Sequence, residues 1–219
     1  MDATVDVAKA GQSRQGDAYG IVLLKGGTLD KALQRLSMVL QPGDLIFIER
    51  RGWLYRQVAR ATGSWVSEVG LCLQDEDGSW VVYEAAMPMV RRVALADFIH
   101  HTRGNRIAVR RLKTPPNDDQ LQRLGAAVER CVGRLNTFNF NLDSRQLFCS
   151  KLVYQVFLEA LGVRLGQLIT LRDLQPQLPA STLRFWRFWY LGAIPWQWRT
   201  ITPHSQYTDP GLETVFESF

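Results

Sequence analysis

The sequence predicts an α+β domain. Its first half, up to about residue 112, is built of short apolar, β-branched runs separated by turn residues; longer segments with helical spacing follow. The 219 residues, 46% hydrophobic and 21% charged, match a folded chain able to bury a substantial core, and the length favours one domain with additions over two full domains.

The elements follow in order. Residues 1–20 are polar, rich in Gly, Ala and Asp, and are expected to be mobile, within an N-terminal extension of residues 1–40. Thr28 or Asp30 caps a helix carrying Leu33, Leu36 and Leu40 on one face. "QPGD" (41–44) is a turn and "LIFI" (45–48) a buried strand. "WLYRQVARATG" (53–63) reads as a short helix. "WVSEVGLCL" (65–73) and "WVVYEAA" (80–86) read as strands joined by the hairpin turn "DEDGSW". Alternation puts Val69, Leu71 and Leu73 on one face of the first, and Glu68 on the other with Val66 and Cys72. A short helix at 95–101 and the strand "RIAVRRL" (106–112) come next. A helix is predicted from about 118 to 135, with Leu121, Leu124, Val128 and Val132 in step. The helix after "RQLFC" carries Cys149, Leu152, Val153, Val156 and Ala160 on one face, and Gly162 ends it. The Trp-rich extension, about 183–219, is predicted to form a helix and then turn at Pro195.

Charge and cysteine usage narrow the function. Net charge is +5, but the basic residues lie in pairs (Arg50–Arg51, Arg91–Arg92, Arg110–Arg111) and form no long run, so no nucleic-acid partner is expected. The three cysteines, Cys72, Cys131 and Cys149, are widely spaced and without CxxC, which argues against a disulfide framework and a zinc site. With no apolar run long enough for a signal core or a membrane span, the expectation is a reduced, cytoplasmic protein with no metal or cofactor. Cys72 and Cys131 read as core. Cys149 reads two ways, as a core residue or as a nucleophile, because a thiol in the first turn of a helix sits at the positive end of the helix dipole. His100, His101 and His204 read as loop residues.

The motifs "GDLIF" (43–47), "SEVGLCL" (67–73), "YEAA" (83–86), "LADFI" (95–99) and "RQLFCSKLV" (145–153) stand in the order used by the circularly permuted, papain-like cysteine hydrolases of the NlpC-type superfamily. The sequence resembles the YiiX/YebB-like bacterial branch in particular. The resemblance runs into the tail through "FWRFWYLGAIPW" (185–196), "ITPHS" (201–205) and "DPGL" (209–212), and covers roughly residues 40–213. It implies an antiparallel half-barrel sheet packed on a central helix that carries the nucleophile, Cys149. It also implies amidase, peptidase or acyl-ester or thioester hydrolase activity on a small-molecule, peptide or acyl substrate. Glu84 matches the residue that orients the family's histidine. The histidine position itself is Glu68.

That departure bears on the chemistry. Ionised, Glu68 raises the pKa of a nearby thiol, and at its reference pKa a glutamate is a poor base for one. Three readings stay open: a natural member that binds its ligand without turnover, a chain whose histidine was substituted, and a site in which His100 or His101 supplies the proton chemistry. The Trp-rich tail is expected to pack on the domain, since exposing Trp186, Trp189, Trp196 and Trp198 together would leave a large apolar patch. It could also line an acyl-binding cleft or touch a membrane surface.

Overall fold

The computed structural model describes residues 30–219, and the expectation about residues 1–20 lies outside them. Residues 30–39 are helical (α1). The predicted strands form as β1 (Leu45–Arg50), β2 (Glu68–Gln74), β3 (Trp80–Ala85) and β5 (Thr102–Leu112); between β3 and β5 the chain adds β4 (Val90–Ala94). The helices α2 (Trp53–Ala61) and α3 (Leu95–His100) lie where the sequence predicts them. The second half holds α4 (Asp118–Glu129), α5 (Cys149–Leu161), a two-residue strand β6 (Ile169–Thr170), α6 (Leu171–Leu174), α7 (Ala180–Trp189), β7 (Arg199–Thr200), α8 (Pro203–Tyr207) and β8 (Leu212–Glu217).

Six strands make one open sheet in the order β4-β3-β2-β1-β5-β8, with every neighbouring pair antiparallel. Period-2 alternation divides its side chains between two cores. On one face Leu45, Phe47, Val69, Leu71 and Tyr83 meet α4 and α5. On the other Ile46, Ile48, Cys72, Val82 and Val109 meet Leu36 and Leu40 of the N-terminal segment and Leu95, Phe98 and Ile99 of α3. Gly70 of the "SEVG" motif belongs to this second face: a Cβ there would stand 2.3 Å from Val82 Cγ1 and 3.1 Å from the Phe98 ring, so α3 can lie this close only over glycine.

α5 is the central helix. Leu152, Val153, Val156 and Phe157 are buried against the sheet and α4, and Gly162 ends it in the left-handed conformation, φ 70°. Three expectations are corrected. α4 stops at Glu129 instead of running to about 135, because the chain turns through Cys131–Arg134 and Gly133 adopts φ 81°. Val66 joins the core of Val69 instead of the opposite face, because it precedes β2 and the strand's alternation does not yet govern it. The tail does more than cover the core: its last segment, β8, pairs with β5 and forms an edge of the main sheet.

Candidate active site

Cys149 is the first residue of α5, with Phe148 as an N-cap that makes no side-chain capping bond. The amides of this helix start are therefore not taken up by a capping side chain. The turn is held in place from the tail. Ser150 Oγ donates to the Ile201 carbonyl (2.8 Å), and Gln206 Nε2 donates to the carbonyls of Ser150 (2.8 Å) and Leu165 (3.3 Å). Below the turn, buried Lys151 spreads its ammonium over the carbonyls of Ser144 (2.5 Å) and Gln146 (2.8 Å), tying the "LDSRQ" loop to the helix. Burial brings its pKa down to about 8.

The Cys149 thiol stands beside the Glu68 carboxyl, close enough for each to shift the proton affinity of the other. Both residues are buried, Glu68 at 1% exposure, and Glu68 Oε1 has no hydrogen-bond partner. Desolvation is the largest influence on each. It raises Glu68 to about 8, opposed first by the Arg50 charge and reinforced by Glu84. It raises the Cys149 thiol well above its ordinary value, helped by Glu68 and resisted by the N–H groups of Val69 and Ser150, which face the sulfur. At neutral pH the resting site is thus a thiol beside a carboxyl group that mostly holds its proton.

Glu84 makes no hydrogen bond with Glu68. Its two oxygens are taken by arginines: Oε2 by Arg50 and Oε1 by Arg91 (2.7 Å). Arg50 is itself buried and lies 5.3 Å from the ring centroid of Tyr55, a cation–π distance. The order of influence is therefore Glu84, Arg50, Glu68, Cys149. Arg50 is the residue that sequence reasoning missed; it was visible only as half of a basic pair. Cys72 lies in the sheet core and Cys131 packs under α4, as expected. His101 approaches the arginine cluster, and its pKa falls through burial and then the charge of Arg50. None of the three histidines is among the groups acting on the Cys149 sulfur.

Beside the thiol opens a cavity of about 770 Å³, counting its mouth. Cys149, Glu68 and Ser150 line it, and its remaining wall is mostly apolar: Tyr55 and Val58 from α2, Phe140, Trp186 from α7, Ile194 and Trp196. The tail is thus packed on the domain, and Trp186 is buried. It is pinned by Trp189 Nε1 donating to the Phe138 carbonyl (3.1 Å) and the Tyr190 hydroxyl donating to that of Asn139 (2.8 Å).

A sequence profile of the permuted papain-like amidase enzymes of the YaeF/YiiX type matches residues 39–216. The chain belongs to this family. It is 27% identical to YiiX of Escherichia coli, described as an uncharacterized protein, over 175 residues that cover 80% of this chain and 85% of that one. It also superposes on a crystal structure of YiiX from Escherichia coli with a TM-score of 0.75 and 27% identity, covering 83% of this chain and 99% of that one. That YiiX is described as a metalloprotein. Among the described residues of the present chain, no group of three or more His, Cys, Asp or Glu side chains is placed to hold a metal ion, so the donor set does not fit one. Nor, among them, is any helix long and apolar enough to cross a membrane.

Proposed function

We propose that this member of the amidase family is a cysteine acyl hydrolase whose substrate joins a long apolar group to an amide, ester or thioester carbonyl. One observation carries the reading: the Cys149–Glu68 pair stands in the wall of a mostly apolar cavity. The reactive carbonyl sits against Cys149 and the apolar group fills the space between α2 and α7.

Glu68 takes the part that histidine plays in related enzymes, and burial makes this feasible. A carboxylate with a pKa near 4.5 cannot draw a proton from a thiol, whereas one at about 8 falls close to the range of working general bases. Ionised Glu68 accepts the thiol proton as sulfur attacks the carbonyl carbon. The amides at the start of α5 face the oxyanion. Glu68 then returns the proton to the departing amine, alcohol or thiol, leaving an acyl-thioester on Cys149, and water cleaves it with Glu68 again accepting a proton. Turnover at neutral pH is slow because only a minor fraction of Glu68 is ionised.

The uncharged resting pair favours a second reading, in which the cavity binds an apolar ligand without turnover. Mass spectrometry after incubation with a long-chain nitrophenyl ester at about pH 9, above the Glu68 value, separates the two. An acyl adduct on Cys149, with product release that Cys149→Ala abolishes, supports the hydrolase. Saturable binding of the chain with no adduct at any pH supports the binding module.

A further inference from the structure

We propose that the face formed by α2 and α7 docks on an anionic lipid bilayer, so that the cavity draws its apolar ligand from the membrane; this rests on the apolar-substrate reading above. Two independent features meet on this face. The first is exposed apolar surface. Leu191 is 95% exposed, Phe188 80% and Trp53 54%, although the same two elements supply Val58 and Trp186 to the cavity wall. Trp53 packs edge-on against Phe185 and Trp189, so α2 and α7 present one surface. Phe188 and Leu191 lie within one turn of Trp186 and Tyr190, which line the cavity.

The second feature is charge. The chain has 21 Asp and Glu residues, but residues 50–67 and 174–208, the two stretches that carry α2 and α7, contain none. Arg51, Arg56, Arg60, Arg184 and Arg187 are exposed there and form no ion pair among the described residues. The two paired arginines of these stretches, Arg50 and Arg199, reach outside them to Glu84 and Asp143. Trp, Phe and Leu flanked by unpaired arginines is the composition of an interfacial membrane contact, with the aromatic groups at headgroup level and the cations on lipid phosphates. A nucleic acid would use the arginines but gains little from an exposed leucine and phenylalanine, so the bilayer accounts for both features.

The test is sedimentation of the full chain with vesicles of phosphatidylcholine containing about 30% phosphatidylglycerol, against pure phosphatidylcholine and against a single-stranded oligonucleotide. We expect binding to the anionic vesicles to be at least about tenfold tighter than to the neutral ones and to weaken in ~0.5 M salt. Phe188→Asp with Leu191→Asp, and separately Arg184→Gln with Arg187→Gln, reduce it about tenfold or more. The circular dichroism of these variants and their turnover of a soluble short-chain ester stay unchanged. Cys149→Ala binds vesicles as the native chain does, which separates docking from chemistry. Equal binding to neutral vesicles, vesicle binding that the variants do not disturb, or binding to the oligonucleotide alone overturns the proposal. No binding to vesicles by a protein that still forms the long-chain adduct on Cys149 overturns the docking and leaves the acyl-hydrolase reading standing.

Discussion

The Cys149 thiol and the Glu68 carboxyl stand side by side in a buried site, and their effects on each other are unequal: Glu68 pushes the proton affinity of the thiol upward, while the thiol draws that of Glu68 down. This inverts the thiolate–imidazolium logic, in which opposite charges stabilise each other. Here a charge on either group disfavours a charge on the other, and burial disfavours both.

The first prediction is the pH dependence of turnover. With Glu68 at about 8, long-chain ester hydrolysis is low at pH 6–7 and rises through an alkaline limb near pH 8. Glu68→Gln removes the limb and lowers kcat by ~10²–10⁴ while the chain still binds the ligand. A rate profile flat from pH 6 to 9, or a Glu68→Gln variant with native turnover, excludes Glu68 as the proton carrier.

Stability should carry the same signature. The folded state holds the Glu68 proton up to about pH 8, whereas the unfolded chain releases it near 4.5. The folded state therefore binds more protons across that window, and the contribution of Glu68 is fully present below the lower value and lost as pH rises through the upper one. At about 1.4 kcal/mol per unit the full effect is on the order of 4–5 kcal/mol, an upper bound. Lys151 acts in the opposite sense above pH 8, its folded value being depressed to about 8 from 10.5, so the difference between two proteins is the cleaner measure. Denaturant midpoints from pH 5 to 9 should fall less steeply for Glu68→Gln than for the native chain. Parallel slopes would mean that Glu68 ionises freely.

Much of this fold was legible in the residues, for identifiable reasons. α5 announced itself because five apolar residues keep helical step up to a glycine, and β1–β3 did so because β-branched runs alternate between turns. β8 was not legible. "LETVFE" alternates weakly, follows a Trp-rich stretch with no strand character, and becomes a strand only because β5 offers an open edge. The placing of Cys149 and Glu68 followed from motif order. The isolation of Glu84 did not, because its partner Arg50 lies 34 residues away and reaches it only through the sheet order β3-β2-β1. The raised pKa of Glu68 was hidden for a similar reason: alternation says which face a side chain takes, not whether water reaches it.

Arg50 gives a third prediction. Arg50→Met leaves Glu84 with Arg91 as its one cation and removes the main charge that lowers Glu68. Breaking one side of a buried pair commonly costs ~3–5 kcal/mol. The variant should be destabilised to about that extent, and its activity limb should move to higher pH. Arg50→Met with Glu84→Met should be less destabilised than the sum of the single changes, read by chemical denaturation. Strict additivity would mean that the two residues are not coupled.

The cavity gives a fourth. Val58 and Ala61 of α2 line it. Ala61→Phe fills part of the space while leaving Cys149 and Glu68 in place. The KM or binding constant for a long-chain substrate should worsen by about tenfold or more, the scale of losing one or two buried methylenes' worth of contact. Turnover of a two-carbon ester should be unchanged. Equal losses on both substrates would place the apolar group elsewhere.

The last prediction restores histidine. Glu68→His removes the carboxylate that raises the Cys149 thiol and supplies a base with a pKa near 6.5. A simple rebuilding of a Cys–His–Glu triad does not follow, because Arg50 and Arg91 already occupy both oxygens of Glu84. The introduced imidazole also stands where the Arg50 charge opposes a second cation. Alkylation of Cys149 should therefore move to lower pH in Glu68→His, but only in part. Adding Arg50→Gln frees Glu84 Oε2 to accept the imidazole N–H and removes the opposing charge, so the double variant should alkylate faster near neutral pH than either single one. Cys149→Ala in the same background reports the contribution of Cys72 and Cys131, both buried. If Glu68→His stays folded and its alkylation profile matches the native one, residue 68 does not face the thiol in solution. If Arg50→Gln adds nothing, Arg50 is not what keeps Glu84 from orienting the base.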